Sequence, residues 1–287
     1  MGVVAEVERE LSAHRCRQQA DDTPELRTST MTHVVWAPPE WLDRAHGVLS
    51  GLAERHPART IVLVPERRGT AGVEAKASVR DFSIGEGREV LSEVIELRLR
   101  GGAVDHPASL VLPLLISDLP AFCRWRGEPG WGGDALEELV SVCDRLVVDS
   151  DEWRSPGRGY AELVGLFDRI VVSDLAWRRG LRARSALAEL WPGIRKVERL
   201  RVDGPAADAQ LLAGWLRSRL RRDVSLVRRS ADAIAGLRVD GELVDLPAGP
   251  APGASELLSA ELDVVTRDPV YEAAVRAAAT KRSATRA

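Results

Sequence analysis

A chain of 287 residues with 45% hydrophobic and 29% charged residues can bury one large core or two modest ones. Its formal net charge of −3 leaves no electrostatic footprint for nucleic acid or an anionic membrane surface. No apolar run approaches the roughly 18 residues that a spanning helix needs, and an opening with Glu6, Glu8 and Glu10 lacks the apolar centre of a secretion signal. Only Lys76, Lys196 and Lys281 are lysines among 40 basic residues. The cationic chemistry is therefore that of arginine, which binds carboxylates and phosphates bidentately, although its spread along the chain is also what a codon bias leaves. Cys16, Cys123 and Cys143 are an odd set whose spacing suits neither a disulfide framework nor zinc, which points to the reducing cytoplasm.

In chain order, residues 3–19 read as a short helix, followed by a polar break at Asp21, Asp22, Thr23 and Pro24. Residues 28–36 read as a strand, and Pro38 and Pro39 then open a helix with Leu42, Ala45, Leu49 and Leu52 on one face. The wholly apolar run 61–64 before Pro65 suggests a strand buried on both faces. Residues 73–80 and 89–99 read as two strands with Gly85 and Gly87 in the turn between them. A buried helix over 108–116 and a strand over 121–125 come next. The glycine-rich loop 127–133 leads into a helix where Asp134 and Glu137 have capping-box spacing and Leu136, Leu139, Val140 and Cys143 form a stripe. Residues 146–148 are another buried strand.

The second half repeats the alternation: helix 158–168, strand 170–172, helix 175–191, strand 197–202 and helix 206–221. Hairpin-like strands follow near 224–229, 234–239 and 242–246, with Asp240-Gly241 as a strong turn signal. Residues 247–254 form a loop, 269–278 a last helix, and 281–287 a disordered tail. Alternating strands and helices predict an α/β fold: two α/β units with mixed sheets covered by helices. The expected division is a helical segment at 1–28, a first unit at 29–155, a second at 156–280 and the tail. Ser155, Pro156, Gly157 and Gly159 mark the boundary.

Catalytic signatures are missing. There is no dinucleotide fingerprint, no P-loop and no nucleophile elbow, and none of the five histidines pairs with another at the spacing of a helical metal site. The expectation is therefore no catalytic residue, no metal and no cofactor. The loop 127–133 sits where an α/β sheet can cradle a phosphate on backbone amides, or serves simply as a connection. Asp149-Ser150 and Ser173-Asp174 each end a short apolar strand, where they either face a ligand or cap the following helices. Arginine and tryptophan are favoured interface anchors, which singles out Arg124, Trp125 and Arg126, with core packing an equal reading for Trp125. Trp131 and Trp153, read as loop residues, are the candidates for exposed contact. Trp36, Trp41, Trp177, Trp191 and Trp215 read as core, Cys123 and Cys143 as buried and inert, and Cys16 as exposed.

Several ordered segments carry a resemblance. Residues 112–120 (Leu-Pro-Leu-Leu-Ile-Ser-Asp-Leu-Pro), Arg124-Trp125-Arg126-Gly127, Arg145-Leu146-Val147-Val148-Asp149-Ser150 and Ser173-Asp174-Leu175-Ala176-Trp177-Arg178-Arg179 with Arg182 resemble the glucose-6-phosphate dehydrogenase assembly family (OpcA) of actinobacteria and cyanobacteria. The resemblance runs from about Thr30 to Thr280. It implies a cytoplasmic, non-catalytic factor that assembles or allosterically activates the dehydrogenase opening the oxidative pentose phosphate pathway, with no cofactor of its own. The partner is then glucose-6-phosphate dehydrogenase, with neither nucleic acid nor membrane involved. Contact candidates are Asp118, Arg124, Trp125, Arg126, Trp131, Asp149, Ser150, Trp153 and Asp174. The alternative is an enzyme or sensor that binds a sugar phosphate or nucleotide near Gly127–Gly133, Asp149 and Asp174, with arginines supplying phosphate contacts.

Overall fold

The computed structural model describes residues 2–18, 25–26, 29–52, 55–83 and 89–279. The expected break at 21–24, the turn at Gly85 and Gly87 and the tail at 281–287 lie outside them, as does the side chain of Cys16. Two compact units emerge: Met1–Val147 with Ala254–Val265, and Val148–Gly253 with Thr266–Ala287.

The first unit opens with α1 (Val3–Gln18) and β1 (Glu25–Leu26), then β2 (Met31–Trp36), α2 (Leu42–Ser50), β3 (Ala58–Glu66), β4 (Gly72–Ser83) and β5 (Glu89–Arg100). It continues with α3 (Ala108–Val111), β6 (Ala121–Trp125), α4 (Asp134–Val142) and β7 (Arg145–Val148). The strand order is β1-β5-β3-β2-β6-β7, parallel throughout, with β4 paired antiparallel to β5. Every residue of β2, β6 and β7 is buried, as are the first seven of β3. Side chains on both sides of these strands are therefore out of water, which explains the continuous apolar runs at 61–64 and 146–148. From β2 the chain steps outward to β3 and β5, then crosses back to the other side of β2 to lay down β6 and β7. The winding direction thus reverses between β2 and β6.

The second unit contains α5 (Pro156–Leu163), β8 (Val171–Asp174), α6 (Leu175–Arg179), α7 (Leu181–Glu189), β9 (Arg199–Asp203) and α8 (Ala206–Leu220). β10 (Ser225–Arg229), β11 (Gly236–Val239) and β12 (Glu242–Val244) follow. The sheet order β10-β9-β11-β12 is mixed: β10 runs parallel to β9, and the other pairs are antiparallel. Leu200, Val202, Leu237 and Val244 pack from one face of this sheet with Ala183 and Leu187 of α7 and Leu212 and Leu216 of α8. Asp240 (φ 51°) and Gly241 (φ 98°) make the tight turn between the paired residues Val239 and Glu242, as the Asp-Gly signal predicts.

Two helices complete the chain: α9 (Ala254–Leu262) and α10 (Pro269–Ala279). α10 lies so close on α8 that a Cβ at Gly214 would stand 2.3 Å from the Ala274 carbonyl oxygen. α9, which has no counterpart among the expected elements, belongs to the first unit. Ser255 Oγ donates to the Val48 carbonyl at 3.2 Å, and Ser259 Oγ lies 2.7 Å from His56 Nε2. Glu261 meets Arg145 of β7 at 2.7 Å, with both side chains about 95% buried.

Three local expectations are corrected. The expected helix 108–116 is α3 followed by a 3-10 turn at Leu112–Leu114. Pro113 lacks an N–H for a longer α-helix, and Leu112, expected in the core, is 59% exposed. The expected helix 175–191 divides at Gly180 into α6 and α7, and Trp191 beyond its end is 61% exposed rather than core. No capping box forms at α4. Gly133 is the N-cap, and Asp134 and Glu137 lie in the first turn, where their charges oppose the positive end of the helix dipole.

Candidate functional site

The winding reversal in the first unit opens a cleft at the carboxyl ends of its strands, the position where open α/β sheets bind ligands. The cleft has a volume of about 670 Å³. Its floor is Trp36 and Trp125, the last residues of β2 and β6. Parallel register sets them side by side, with ring centroids 4.6 Å apart and planes at 17°. Pro38, Pro39 and Pro65 add apolar walls, Arg67 and Arg68 add positive charge, and Glu40, Glu66 and Glu128 add negative charge. Gly130 and Gly133 bring the loop 127–133 to the rim and into the N-terminus of α4. Arg126 continues the β2 ladder by donating its N–H to the Trp36 carbonyl at 2.9 Å, and its guanidinium lies 4.8 Å from the Trp41 ring centroid. The chain then turns at Gly127 (φ 76°), where a Cβ would stand 3.0 Å from Trp41 Nε1. Glycine alone among the residues suits both conditions.

Several named residues of this unit are more deeply placed than a contact surface requires. Arg124 is 1% exposed, Trp125 3% and Arg126 8%. Arg124 donates to the carbonyls of Trp125 and Val147, tying β6 to β7. It also faces His33, whose pKa falls to about 3 because of burial first and the Arg124 charge second. Trp131 is half-buried in the loop, and Asp118 is exposed with a left-handed backbone (φ 65°). Cys123 and Cys143 are both buried free thiols; the Cys143 thiol and burial together push the Cys123 pKa up.

The second unit gathers the other four. Asp149 accepts from the Asp151 N–H at the head of a 3-10 turn, and Asp174 caps α6 by accepting from the Ala176 N–H at 2.9 Å. Asp174 Oδ1 also accepts from the Ser150 N–H at 3.0 Å. Ser150 Oγ is 2.8 Å from the Tyr160 hydroxyl, and Trp153 packs at 5.6 Å from the Tyr160 ring. The expected exposure of Trp153 is thus corrected: it is 5% exposed and covers Gly159, where a Cβ would stand 2.3 Å from its ring. Arg179 joins this group by bonding Asp149 at 3.1 and 3.3 Å and Asp208 at 3.2 and 3.3 Å. Burial opposes the Arg179 charge, but Asp149 and Asp208 outweigh it and raise its pKa. Burial lifts Asp208 to about 6 against the pull of Arg179, and it lifts Asp174 to about 7 with help from the Asp149 charge.

Sequence reasoning did not single out Asp208. Its signal is an acid among the apolar residues Ala207, Ala209, Leu211 and Leu212 of α8, where a buried carboxylate needs a partner. Arg67 and Arg68 carry no local signal, because only the chain reversal brings residues after β3 beside those after β6.

The fold and these clusters define a two-unit α/β protein with a switch-point cleft in one unit and a buried carboxylate–arginine network in the other. Among the described residues no group of three His, Cys, Asp or Glu could hold a metal ion, and no helix is long and apolar enough to cross a membrane. The chain belongs to the glucose-6-phosphate dehydrogenase assembly (OpcA) family. A family model described as the glucose-6-phosphate dehydrogenase subunit N-terminal domain matches residues 50–164, and its C-terminal counterpart matches residues 170–275. A relative from Synechocystis sp., named as the OxPP cycle protein OpcA, is 25% identical over 112 residues. That match spans 38% of this chain and 24% of the relative.

Proposed function

We propose that this protein assembles or activates glucose-6-phosphate dehydrogenase in the cytoplasm, supports the oxidative pentose phosphate pathway, and performs no catalysis itself. One observation carries the reading: two models described as parts of a glucose-6-phosphate dehydrogenase subunit match the chain in order over residues 50–164 and 170–275. A factor without chemistry of its own acts by binding one state of its partner more tightly than another. A tenfold preference corresponds to about 1.4 kcal/mol, within reach of a few interface contacts. In this reading Trp131, Asp118 and the rim of the switch-point cleft meet the enzyme. Buried Arg124, Trp125, Ser150, Trp153 and Asp174 act behind the surface by holding its loops. The test is to mix the purified protein with the dehydrogenase of the same organism and measure complex mass and steady-state kinetics. A larger species with altered KM or kcat is expected; unchanged mass and kinetics across a range of ratios overturn the reading.

A second reading rests on the cleft itself. Its place at the strand ends, with Arg67, Arg68 and the backbone of Gly130 and Gly133 on its wall, suits a sugar phosphate or nucleotide. A ligand that binds only the folded state raises the melting temperature. A thermal-shift series with pentose-pathway metabolites should show such a rise, and a flat response to all of them removes this reading.

A further inference from the structure

Among the described residues of the second unit, helices pack on one face of the mixed sheet. Leu200, Val202, Leu237 and Val244 turn toward α7 and α8, so period-two alternation turns Arg199, Arg201, Arg238 and Leu243 the other way. Register then aligns them across the strands. Val227, Arg201, Arg238 and Leu243 form one row, and Arg199 stands opposite Ser225 in the next. Arg229 stands opposite Asp203 in a third. The resulting hollow has a volume of about 870 Å³ and is lined by Arg199, Arg201, Arg229 and Arg238 with Val227, Ser225 and the turn at Asp240 and Gly241. Glu198 also lines it. Val227 is 44% exposed and Leu243 63% exposed.

Much of the acidity beside these arginines is already engaged. Asp240 accepts from the N–H groups of Glu198 and Arg199, and Asp203 pairs with Arg201 at 3.1 Å. Arg238 donates to the Gly241 carbonyl at 3.1 Å. Arg199 and Arg229 reach no carboxylate among the described residues. A chain with net charge −3 thus concentrates four guanidinium groups on one open sheet face.

We infer that this face docks an extended segment of a partner protein that carries an acidic residue at every second position. Alternate side chains of an extended segment are about 6.6 Å apart, the same spacing as Arg199 and Arg201 along β9. A carboxylate at every second residue therefore faces the sheet and meets a guanidinium fork, while the intervening side chains point away from it. Arginine suits planar carboxylates in two-pronged geometry. A single-stranded nucleic acid would want aromatic platforms for its bases, and among the described residues no aromatic side chain lines this hollow.

The test uses the full chain and a fluorescein-labelled peptide of alternating Glu and Val, followed by anisotropy at low and high salt. A peptide of alternating Lys and Val and a single-stranded oligonucleotide serve as competitors. The expected result is saturable binding of the acidic peptide that weakens with salt. The double variant Arg199→Glu, Arg238→Glu should lose about tenfold or more. Arg199→Lys, Arg238→Lys should lose severalfold despite unchanged charge. Circular dichroism of both variants checks that the exposed substitutions leave the fold intact. Absence of binding, binding unaffected by charge reversal, or tighter binding of the oligonucleotide each overturns the inference. None of these arms involves the dehydrogenase, so the outcome is separate from that of the proposed function.

Discussion

Asp174→Asn should stabilise the second unit near neutral pH and leave it almost unchanged in mild acid. In the folded protein the Asp174 carboxyl is fully buried, accepts two amide N–H bonds through Oδ1, and has its pKa lifted from 3.8 to about 7, by burial first and by Asp149 second. The folded chain therefore holds a proton that the unfolded chain has released, and stability falls as pH rises from about 4 to about 7. The whole rise is equivalent to roughly 4 kcal/mol, of which roughly 3 kcal/mol falls between about pH 5 and about pH 8. An asparagine amide keeps the Oδ1 acceptor for Ser150 and Ala176 but carries no charge, so its stability should lack this slope. Hydrogen exchange of peptides from α5 and α6, read by mass spectrometry at about pH 5 and about pH 8, follows the second unit alone after correction for intrinsic exchange rates. Parallel pH profiles for the two proteins would refute the assignment of a buried, strained carboxylate to this position.

His33 should produce the opposite slope in the first unit. Its folded pKa of about 3 lies below the ordinary value of 6.5, so the stability it contributes is present above about pH 6.5 and is lost as pH falls toward 3. His33→Gln should flatten acid unfolding of β2 in the same exchange measurement. Glu261→Leu leaves Arg145 charged in a buried setting and should cost about 3–5 kcal/mol, whereas Arg145→Met combined with Glu261→Leu should cost less than either of these two single changes. Urea unfolding of the four proteins completes that double-mutant cycle. Gly159→Ala should cost about 1–3 kcal/mol by driving a methyl into the Trp153 ring, with a shift in tryptophan emission as the local readout. Trp125→Ala should remove a buried ring stacked on Trp36 and cost about 3–5 kcal/mol in thermal unfolding.

Local chemistry in the sequence anticipates most strands and one turn well. The apolar runs at 61–64 and 146–148 are buried strands, and Asp240-Gly241 is a hairpin turn, because each depends on a few adjacent residues. What escapes sequence reasoning depends on contacts between distant positions. α9 is nine residues long, and its place is decided by Val48, His56 and Arg145, more than a hundred residues away. Trp191 and Leu112 follow the apolar count of their segments, yet both stand exposed where a helix ends or tightens. The candidate site divides the same way. Arg179 stands in a motif that carries the family resemblance, while its second carboxylate, Asp208, is signalled in the sequence only by its apolar neighbours, and its pairing with Arg179 depends on how α8 packs.

The return of α9 to the first unit has a consequence for biosynthesis. Val147 leaves the ribosome about a hundred residues before Glu261, a delay of roughly 5–20 s at ordinary rates of translation. During that interval the nascent first unit holds Arg145 without its carboxylate and His56 without Ser259. It therefore waits, incomplete, while the second unit is being made. A fragment ending at the apparent unit boundary is therefore not a smaller version of the protein, because it lacks the partners that α9 supplies to Arg145 and His56.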